Sequence, residues 1–543
     1  MSGTPAETTD ATGRERHRWL FWLSLPLAVL AFLARLPGIV EPMGPDQGVY
    51  ATIGWGMQRG LALYRDLWEL KPPGIYLTYR FAFSVFGARE SSIFWIDYLA
   101  GALTAIVLFD LGRRAVGRRF GAIAAAVFAL GTFPAARHTY GGFLERGISE
   151  KFISLLAAAA AWAAFRALTS ARTRWAVASG ALVGLATVYK PFALAYWPAW
   201  VLWIWFVSDM ARARRFALGS CAGLVVPPVA AIGWMIASGI MPDAWVALVD
   251  FNRAYLAVGG VGPSFILDRF AHEIWLRLRS DEVWALGSLG AVIAVGLWRR
   301  RATHAGTLAA LGVAWLGAAL VAIPANGPRM FMTYFLPSLV PLCLMYAWLL
   351  DQTLASAKRW RAVAGVLLVL ATGAMAARGG SLNRAVTFTR WDARHWLGSL
   401  DRLTYLGRYQ GKGGRAFSAA DNERLAAYLR AHTDPADRIF VFGMTGGTYF
   451  SSERLPASRF LFVYPAVSRL VDRPEFRVET LAADLDRASA RYVILQRGNG
   501  DSFSGWKAED AFADPAMTAL LRGYVRETEI GNFVLYRRLA AQD

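Results

Sequence analysis

Residues 19–40 read WLFWLSLPLAVLAFLARLPGIV, an apolar run broken by one charge, Arg35. It matches the ~20 residues needed to cross a bilayer core. Arg14, Arg16 and Arg18 precede it, and no small-x-small cleavage site closes it. It therefore reads as an uncleaved first span rather than a signal peptide. Working outward, similar runs recur at roughly 92–112, 120–136, 150–169, 176–190, 192–208, 216–237, 284–298, 305–323, 333–350 and 361–378, which predicts about eleven transmembrane helices.

Composition agrees. Of 543 residues, 55% are hydrophobic and only 18% charged, too little charge to cover several water-soluble domains. A soluble enzyme, a disordered chain, collagen and a coiled coil are excluded as the main architecture. The formal net charge of +19 suggests nucleic acid, but the basic residues lie in short clusters between apolar runs rather than on one face. Arg14/Arg16/Arg18, Arg113/Arg114/Arg118/Arg119, Arg166/Arg172/Arg174, Arg212/Arg214/Arg215, Arg299/Arg300/Arg301 and Lys358/Arg359/Arg361 fall at every second connection. The positive-inside rule puts these clusters in the cytoplasm and segments 41–91, 137–149, 238–283, 324–332 and everything after about 379 outside. Cys221 and Cys343 both sit in apolar runs and read as small core residues, not as a disulfide or zinc site.

The domain plan is a cytoplasmic tail (1–18), a membrane domain (19–378), a Gly-rich linker or interfacial segment (379–414) and an extracytoplasmic α/β domain (415–543). In that last part SAADNERLAAYLRAHT and RVETLAADLDRASA have helical patterning, while DRIFVFG, RYVILQ and NFVLYRR read as strands.

The first outside loop is the most informative: EPMGPDQGVYATIGWGMQRGLALYRDLWELKPPGIYLTYRFAFSVFG, 41–87. Few loops of this length are plain connectors. Asp46 lies just beyond the first span, where a partly desolvated carboxylate acts as a general base; seen alone, the residue's favoured role is to cap the helix QGVYATIGWGMQRG. Lys71-Pro72-Pro73 opens GIYLTYRFAFSVFG, whose apolar content and single Arg80 suit an interfacial helix. Lys71 is then placed for an anionic phosphate, or for a snorkelling role in a turn.

Elsewhere outside, RHTYGGFLERGISEKF brings Glu145 and Glu150 to the mouth of the fourth span, and Glu150 also suits a first-turn acidic position. His138 has no metal-ligand partner at a recognisable spacing. Lys190, in TVYKPFALAYW, occupies a tight turn between two spans and needs an anion or water. Arg329 in PANGPRMFMTYFLP precedes the tenth span, with Tyr334 one turn inside; Lys190 and Arg329 also suit the commoner use of such residues, anchoring a helix end. Asp97 falls within the second span, where a neighbouring helix is expected to supply a partner. No P-loop, dinucleotide GxGxxG, HExxH or GxSxG motif occurs, so nucleotide-driven chemistry has no support.

The sequence PDQGVY, then GLALYRD, then KPPGIY, resembles the GT-C superfamily of membrane glycosyltransferases. The likeness is greatest to the dolichyl-phosphate-mannose-protein mannosyltransferase and lipid A aminoarabinose transferase relatives. ISEKF, GLATVYKP, PRMFMTYFLPSLVP and the terminal FVLYRR extend it over most of the chain. The resemblance implies an inverting transferase that moves a hexose or pentose from a polyprenyl-phosphate donor to a hydroxyl of a lipid, glycan or protein, on the outer side of the cytoplasmic membrane. It implies Asp46 as the catalytic base and Glu150 as a residue positioning the acceptor or an optional metal. Lys71, Lys190, Arg329 and Tyr334 are implied at the donor phosphate, and Gln47, Tyr50, Asp66, Glu69 and Glu145 around the substrates. Relatives often carry Glu after the catalytic Asp; here Gln47 stands instead, which leaves divalent-metal use without support. The rival class is a lipid flippase or transporter, whose ionisable residues belong near mid-membrane on broken helices.

Overall fold

The computed structural model describes residues 18–132, 146–170, 172–257, 262–297, 304–326, 329–354, 358–378, 380–411, 417–501 and 506–539. Each of the eleven apolar runs contains a helix: α1 (Arg18–Leu33), α4 (Glu90–Ala115), α5 (Arg118–Gly131), α6 (Ser149–Ser170), α7 (Thr173–Thr187), α8 (Tyr196–Val207), α9 (Met210–Ala237), α11 (Glu282–Gly296), α12 (His304–Ala322), α13 (Leu336–Leu354) and α14 (Arg359–Arg378). Among the described residues, seven helical segments have the length and hydropathy to cross a membrane: Trp19–Val40, Glu90–Ala115, Ser149–Ser170, Met210–Ala237, Gly306–Asn326, Met332–Leu354 and Arg359–Arg378. The other four apolar helices are shorter, and α10 (Pro263–Ser280) is an amphipathic helix with no fully buried residue.

The bundle is built around α13, whose span is 89% buried, whereas that of α14 is only 12% buried. Val363, Val366, Leu367 and Leu370 on α14 are exposed, which is the surface a lipid-facing helix presents. Small residues allow close packing in the membrane layer, where no hydrophobic drive separates helix from lipid. Ala28 and Ala31 of α1 meet Ala125, Ala126 and Ala129 of α5. At one end of the bundle, Arg113 and Arg114 clamp Asp110, and Arg119 donates to Asp351 at the foot of α13 (2.9 Å). The long loops gather at the opposite end.

There the first loop folds as two helices, α2 (Pro45–Gln58) and α3 (Gly74–Phe86). The linker supplies α15 (Ser381–Trp396) and α16 (Arg402–Leu406), and these dock on the start of that loop. Arg402 donates to Val40 O (2.7 Å) and pairs with Glu90 (3.1 Å). Two buried carboxyl groups, Glu41 and Asp392, meet between them, flanked by Arg146 (3.3 Å from Glu41) and Arg408 (3.6 Å from Asp392). Tyr405 donates to Asp392 (2.7 Å) and contacts the Tyr409 hydroxyl (3.0 Å). Burial, only partly offset by Arg146, holds the Glu41 carboxyl well above the usual carboxylate range, and burial likewise raises Asp392.

Beyond the linker lies a small α/β domain. Ser418 caps α17 (Ala419–His432) by accepting the Asp421 N–H (3.2 Å). Its five-stranded sheet has the order β2-β1-β3-β5-β4, formed by β1 (Arg438–Phe442), β2 (Leu455–Pro456), β3 (Tyr492–Gln496), β4 (Tyr524–Ile530) and β5 (Phe533–Arg538). β1 runs parallel to β2 and β3, with Phe440 opposite Val493, whereas β3, β5 and β4 pair antiparallel. β3 is buried along its whole length; α17 and the helix α18 (Val478–Arg487) connect into this sheet. The strands and helices read from the sequence here are present. β4 was not read, because YVRETEI has no apolar alternation, with Val525, Arg526 and Glu527 all exposed, and carries a bulge between Arg526 and Thr528.

The first loop lies between this domain and the bundle. A Cβ on Gly48 would stand 2.6 Å from Gly447 Cα, so only glycine permits the approach, and Thr52 donates to Gly446 O (2.7 Å). Trp68 donates its backbone N–H to Arg459 O (2.8 Å) and packs its ring against Phe251, Phe460 and Phe476.

Candidate active site

The residues of interest are assembled where the first loop, the α7–α8 turn and the approach to α13 meet. Gly44 occupies the N-cap of helix α2, and the Gln47 side-chain oxygen accepts the Gly44 N–H. Asp46 is thus inside the first turn and not its cap. Its side chain is 59% exposed, accepts from Tyr50 OH (3.1 Å) and stands 3.8 Å from Lys71 Nζ. The desolvation expected of Asp46 from its position near the membrane is therefore not seen: the carboxylate opens to solvent at the helix N-terminus.

Lys71 is well ordered by its neighbours. Its backbone N–H and ammonium both donate to buried Glu69 (2.9 and 3.2 Å), its carbonyl accepts from Tyr64 OH (2.9 Å), and its Nζ lies 5.1 Å from the centre of the Tyr50 ring. Glu69 also accepts from Tyr76 OH. Asn252 holds the preceding carbonyl, Leu70 O (2.7 Å). Burial alone lowers an ammonium pKa, but Asp46 and Glu69 outweigh it, so Lys71 is raised and remains a cation. Burial, then Asp46 and Glu69, push the Tyr50 phenol well above its ordinary value and keep it a proton donor.

Lys190 pairs with Glu150 of α6 (2.5 Å) and lies 4.7 Å from the Tyr334 ring centre. What brings Lys190 to Lys71 is backbone packing. Gly74 donates its N–H to Val188 O (3.0 Å), and a Cβ there would stand 2.8 Å from that oxygen. Thr78 and Tyr189 share a hydroxyl–hydroxyl bond (2.6 Å). The KPPG and VYKP turns are therefore one structural unit. Tyr334 stands within electrostatic reach of Glu150, Lys71, Asp46 and Arg329. Arg329 lies over the Tyr255 ring (4.3 Å) and donates to Tyr464 OH of the C-terminal domain (3.0 Å). Burial raises the Tyr255 phenol, with Tyr334 adding to the effect.

Asp46, Tyr50, Glu69, Lys71, Glu150, Lys190, Arg329 and Tyr334 thus converge. Two others face elsewhere. Gln47 is buried and its amide nitrogen donates to Arg146 O (2.5 Å), tying α2 to the second loop. Asp66 closes the GLALYRD turn by accepting Ala62 N–H (2.8 Å) beside Arg65 (3.1 Å). Glu145 and His138 lie outside the described residues. Asp97 does find its expected partners: it accepts Gly147 N–H (2.8 Å) and lies 3.9 Å from Lys151. Sequence reasoning missed Tyr76, Asn252, Tyr255 and Tyr464, because an aromatic or amide in an unremarkable segment carries no local signal of what it will face. Among the described residues no three His, Cys, Asp or Glu side chains are grouped as a metal site requires.

The arrangement combines an accessible carboxylate with several cations inside a ring of tyrosines at the loop end of a membrane bundle. This is the GT-C fold. ArnT from Cupriavidus metallidurans, in a structure bound to undecaprenyl phosphate, superposes with a TM-score of 0.57 at 16% identity, covering 97% of this chain and 99% of that one. An oligosaccharyltransferase from Archaeoglobus fulgidus, tethered to an acceptor peptide, superposes with a TM-score of 0.51 at 13% identity, covering 97% and 74%. In sequence, residues 70–234 match the dolichyl-phosphate-mannose-protein mannosyltransferase family. No curated protein sequence matches the chain. The GT-C likeness read from the first loop is borne out, and the chain is an integral membrane protein.

Proposed function

We propose that this protein is an inverting glycosyltransferase that moves a sugar from a polyprenyl-phosphate donor to a hydroxyl of an envelope lipid, glycan or protein. Residues 19–378 carry the transfer, and the site and the 415–543 domain face the extracytoplasmic side of the cytoplasmic membrane. The observation that carries the reading is the solvent-open Asp46 carboxylate 3.8 Å from the largely buried Lys71 ammonium, with the Lys190–Glu150 pair packed into the same unit. ArnT and the archaeal oligosaccharyltransferase, whose structures hold undecaprenyl phosphate and an acceptor peptide, support the donor and acceptor classes.

In this mechanism Asp46 takes the proton of the acceptor hydroxyl as its oxygen attacks the anomeric carbon from the face opposite the phosphate. The carbon–oxygen bond to phosphate breaks, and its electron pair passes to the phosphate oxygen. Lys71, Lys190 and Arg329 stabilise that growing charge, and Tyr334 donates to it. Before the donor binds, Asp46 and Glu69 neutralise Lys71, and Glu150 neutralises Lys190. A phosphate that takes Lys71 from Asp46 leaves the carboxylate more basic when a base is needed. Gln47, Asp66 and Glu69 hold the loop that presents these groups.

The test is transfer by the purified protein in nanodiscs, with a polyprenyl-phosphate sugar and candidate acceptors read by mass spectrometry. A glycosylated product with inverted anomeric configuration is expected. Donor translocation without any transfer would replace this reading by a flippase.

A further inference from the structure

Arg329 joins the candidate site to the C-terminal domain. Its guanidinium donates to Tyr464 OH (3.0 Å) and lies over the Tyr255 ring (4.3 Å). A guanidinium carries five N–H donors in a fixed plane, so holding one of them orients the others. The backbone does not place Arg329 unaided. Met330, the buried residue after it, has a φ of 40°, a left-handed conformation that costs a non-glycine residue energy and persists where its surroundings enforce it. Arg269 contributes by donating to Arg329 O (3.2 Å).

Tyr464 is itself held from several directions. It is buried, with its ring against Phe251, Tyr255 and Trp506 at centroid separations of 6.4, 6.1 and 6.0 Å. Val463 before it donates its N–H to Gly443 O (3.0 Å), just beyond the end of β1. Earlier in the same segment, Arg459 O accepts the N–H of Trp68 (2.8 Å), on the stretch of the first loop that leads to Lys71. Arg459 and Arg473 also pair with Asp243 (3.4 Å) and Asp250 (2.5 Å), which seats the domain on the 238–283 loop. Residues 459–464 therefore touch both chain segments that carry these cations, and Tyr255 stands within electrostatic reach of Arg329 and Lys71 alike.

We propose that Tyr464 is a positioning residue: it holds the Arg329 guanidinium toward the lipid phosphate, so that the C-terminal domain completes a phosphate site begun by the membrane bundle. The inference rests on the transferase reading and on the place of Arg329 at the phosphate. The donor is a phosphodiester with a single negative charge, whereas the polyprenyl phosphate released is a monoester with a charge of about −1.5 to −2 at pH 7. A cation fixed beforehand meets that added charge without reorganising. A loosely held one must first be ordered, and the cost falls on the transition state and the released lipid more than on the bound donor.

The experiment is a double-mutant cycle of Tyr464→Phe and Arg329→Ala in the full-length protein in nanodiscs. It reads transfer kinetics, undecaprenyl phosphate binding by native mass spectrometry, and thermal unfolding. Tyr464→Phe keeps the ring and its packing but not the bond to Arg329. Both kcat and the affinity for undecaprenyl phosphate should fall about tenfold, with donor KM and Tm nearly unchanged. Arg329→Ala should cost at least as much, and the double variant no more than Arg329→Ala alone. Additive losses would make Tyr464 a packing residue, as would full activity and binding in Tyr464→Phe beside a weakened Arg329→Ala; either result overturns the proposal. Undiminished transfer and binding in Arg329→Ala would remove Arg329 from the phosphate and the proposal with it. If the wild type transfers no sugar, the cycle is read on undecaprenyl phosphate binding alone: coupled losses there uphold the role of Tyr464 while the transferase reading fails, and uncoupled losses overturn both.

Discussion

At the residue scale, the proposed mechanism divides the chemistry between Asp46 as base and Lys71 as cation, and their substitutions separate the two roles. Asp46→Asn keeps the shape and the acceptor for Tyr50 OH but takes no proton. Transfer should fall ~10²–10⁴-fold with donor binding nearly unchanged, measured by steady-state kinetics and a separate binding isotherm. Wild-type turnover in that variant would assign the base elsewhere, with Glu150 the next candidate. Lys71→Ala and Lys190→Ala should lower kcat more than they raise KM, since the charge each meets is largest as the sugar–phosphate bond breaks. A change confined to KM would make them donor-holding residues only. Both lysines and Asp46 were visible in the sequence because polar residues in outside loops stand out against apolar runs. Their pairing with Glu69 and Glu150 was not, since Lys190 and Glu150 are 40 residues apart and meet only through helix packing.

At the scale of elements, Gly74 joins the two lysine-bearing turns. Gly74→Ala would push Val188 O away from a Cβ at 2.8 Å. The expected result is a loss of stability of about 1–3 kcal/mol, typical of overpacking, with a larger loss of kcat as Lys190 moves from Lys71. Thermal unfolding in detergent and kinetics measure both; a fully active Gly74→Ala protein would show that the two turns tolerate separation. The linker gives a pH dependence. Glu41 is raised above the ordinary glutamic acid value of 4.5, so the folded protein holds a proton there that the unfolded chain releases. Its stabilising contribution is complete below that value and is lost as pH rises through the raised one. Tm should therefore fall with rising pH above about 5, and the slope should flatten in Glu41→Gln, with Arg146, Arg408, Tyr405 and Asp392 as the facing groups. A Tm that rises with pH in the wild type and is unaffected by Glu41→Gln would refute this. The sequence exposed the helices of the apolar runs, and even those inside the first loop; it hid α10 and the linker helices α15 and α16, whose mixed composition carries no apolar run, and it hid the linker's docking, because Glu41 and Asp392 are ordinary acidic residues until the fold buries them together.

For the whole molecule, reporters fused after Arg119, Arg174, Arg215 and Arg301 should report cytoplasm, and those in 238–283 or after Arg415 the outside, as the alternating basic clusters require. A cytoplasmic tail would overturn the proposed side of transfer. The alternation was legible because it depends on composition alone. How the C-terminal domain bears on the site was not: Gly446, Gly447, Arg459 and Tyr464 reach the first loop and Arg329 through backbone and hydroxyl groups that no motif announces.

The contact between Thr52 and Gly446 also has a bearing on biosynthesis. The two residues are separated by 394 positions, and the first loop leaves the ribosome long before its partner exists. At ~5–20 residues per second, translation takes on the order of 20–80 s to supply that partner. Within that interval the loop gains Asn252 and the linker helices beside it, but not the contacts of the C-terminal domain. A ribosome stalled before residue 446 therefore holds a first loop that lacks the Gly446 contact of the complete fold.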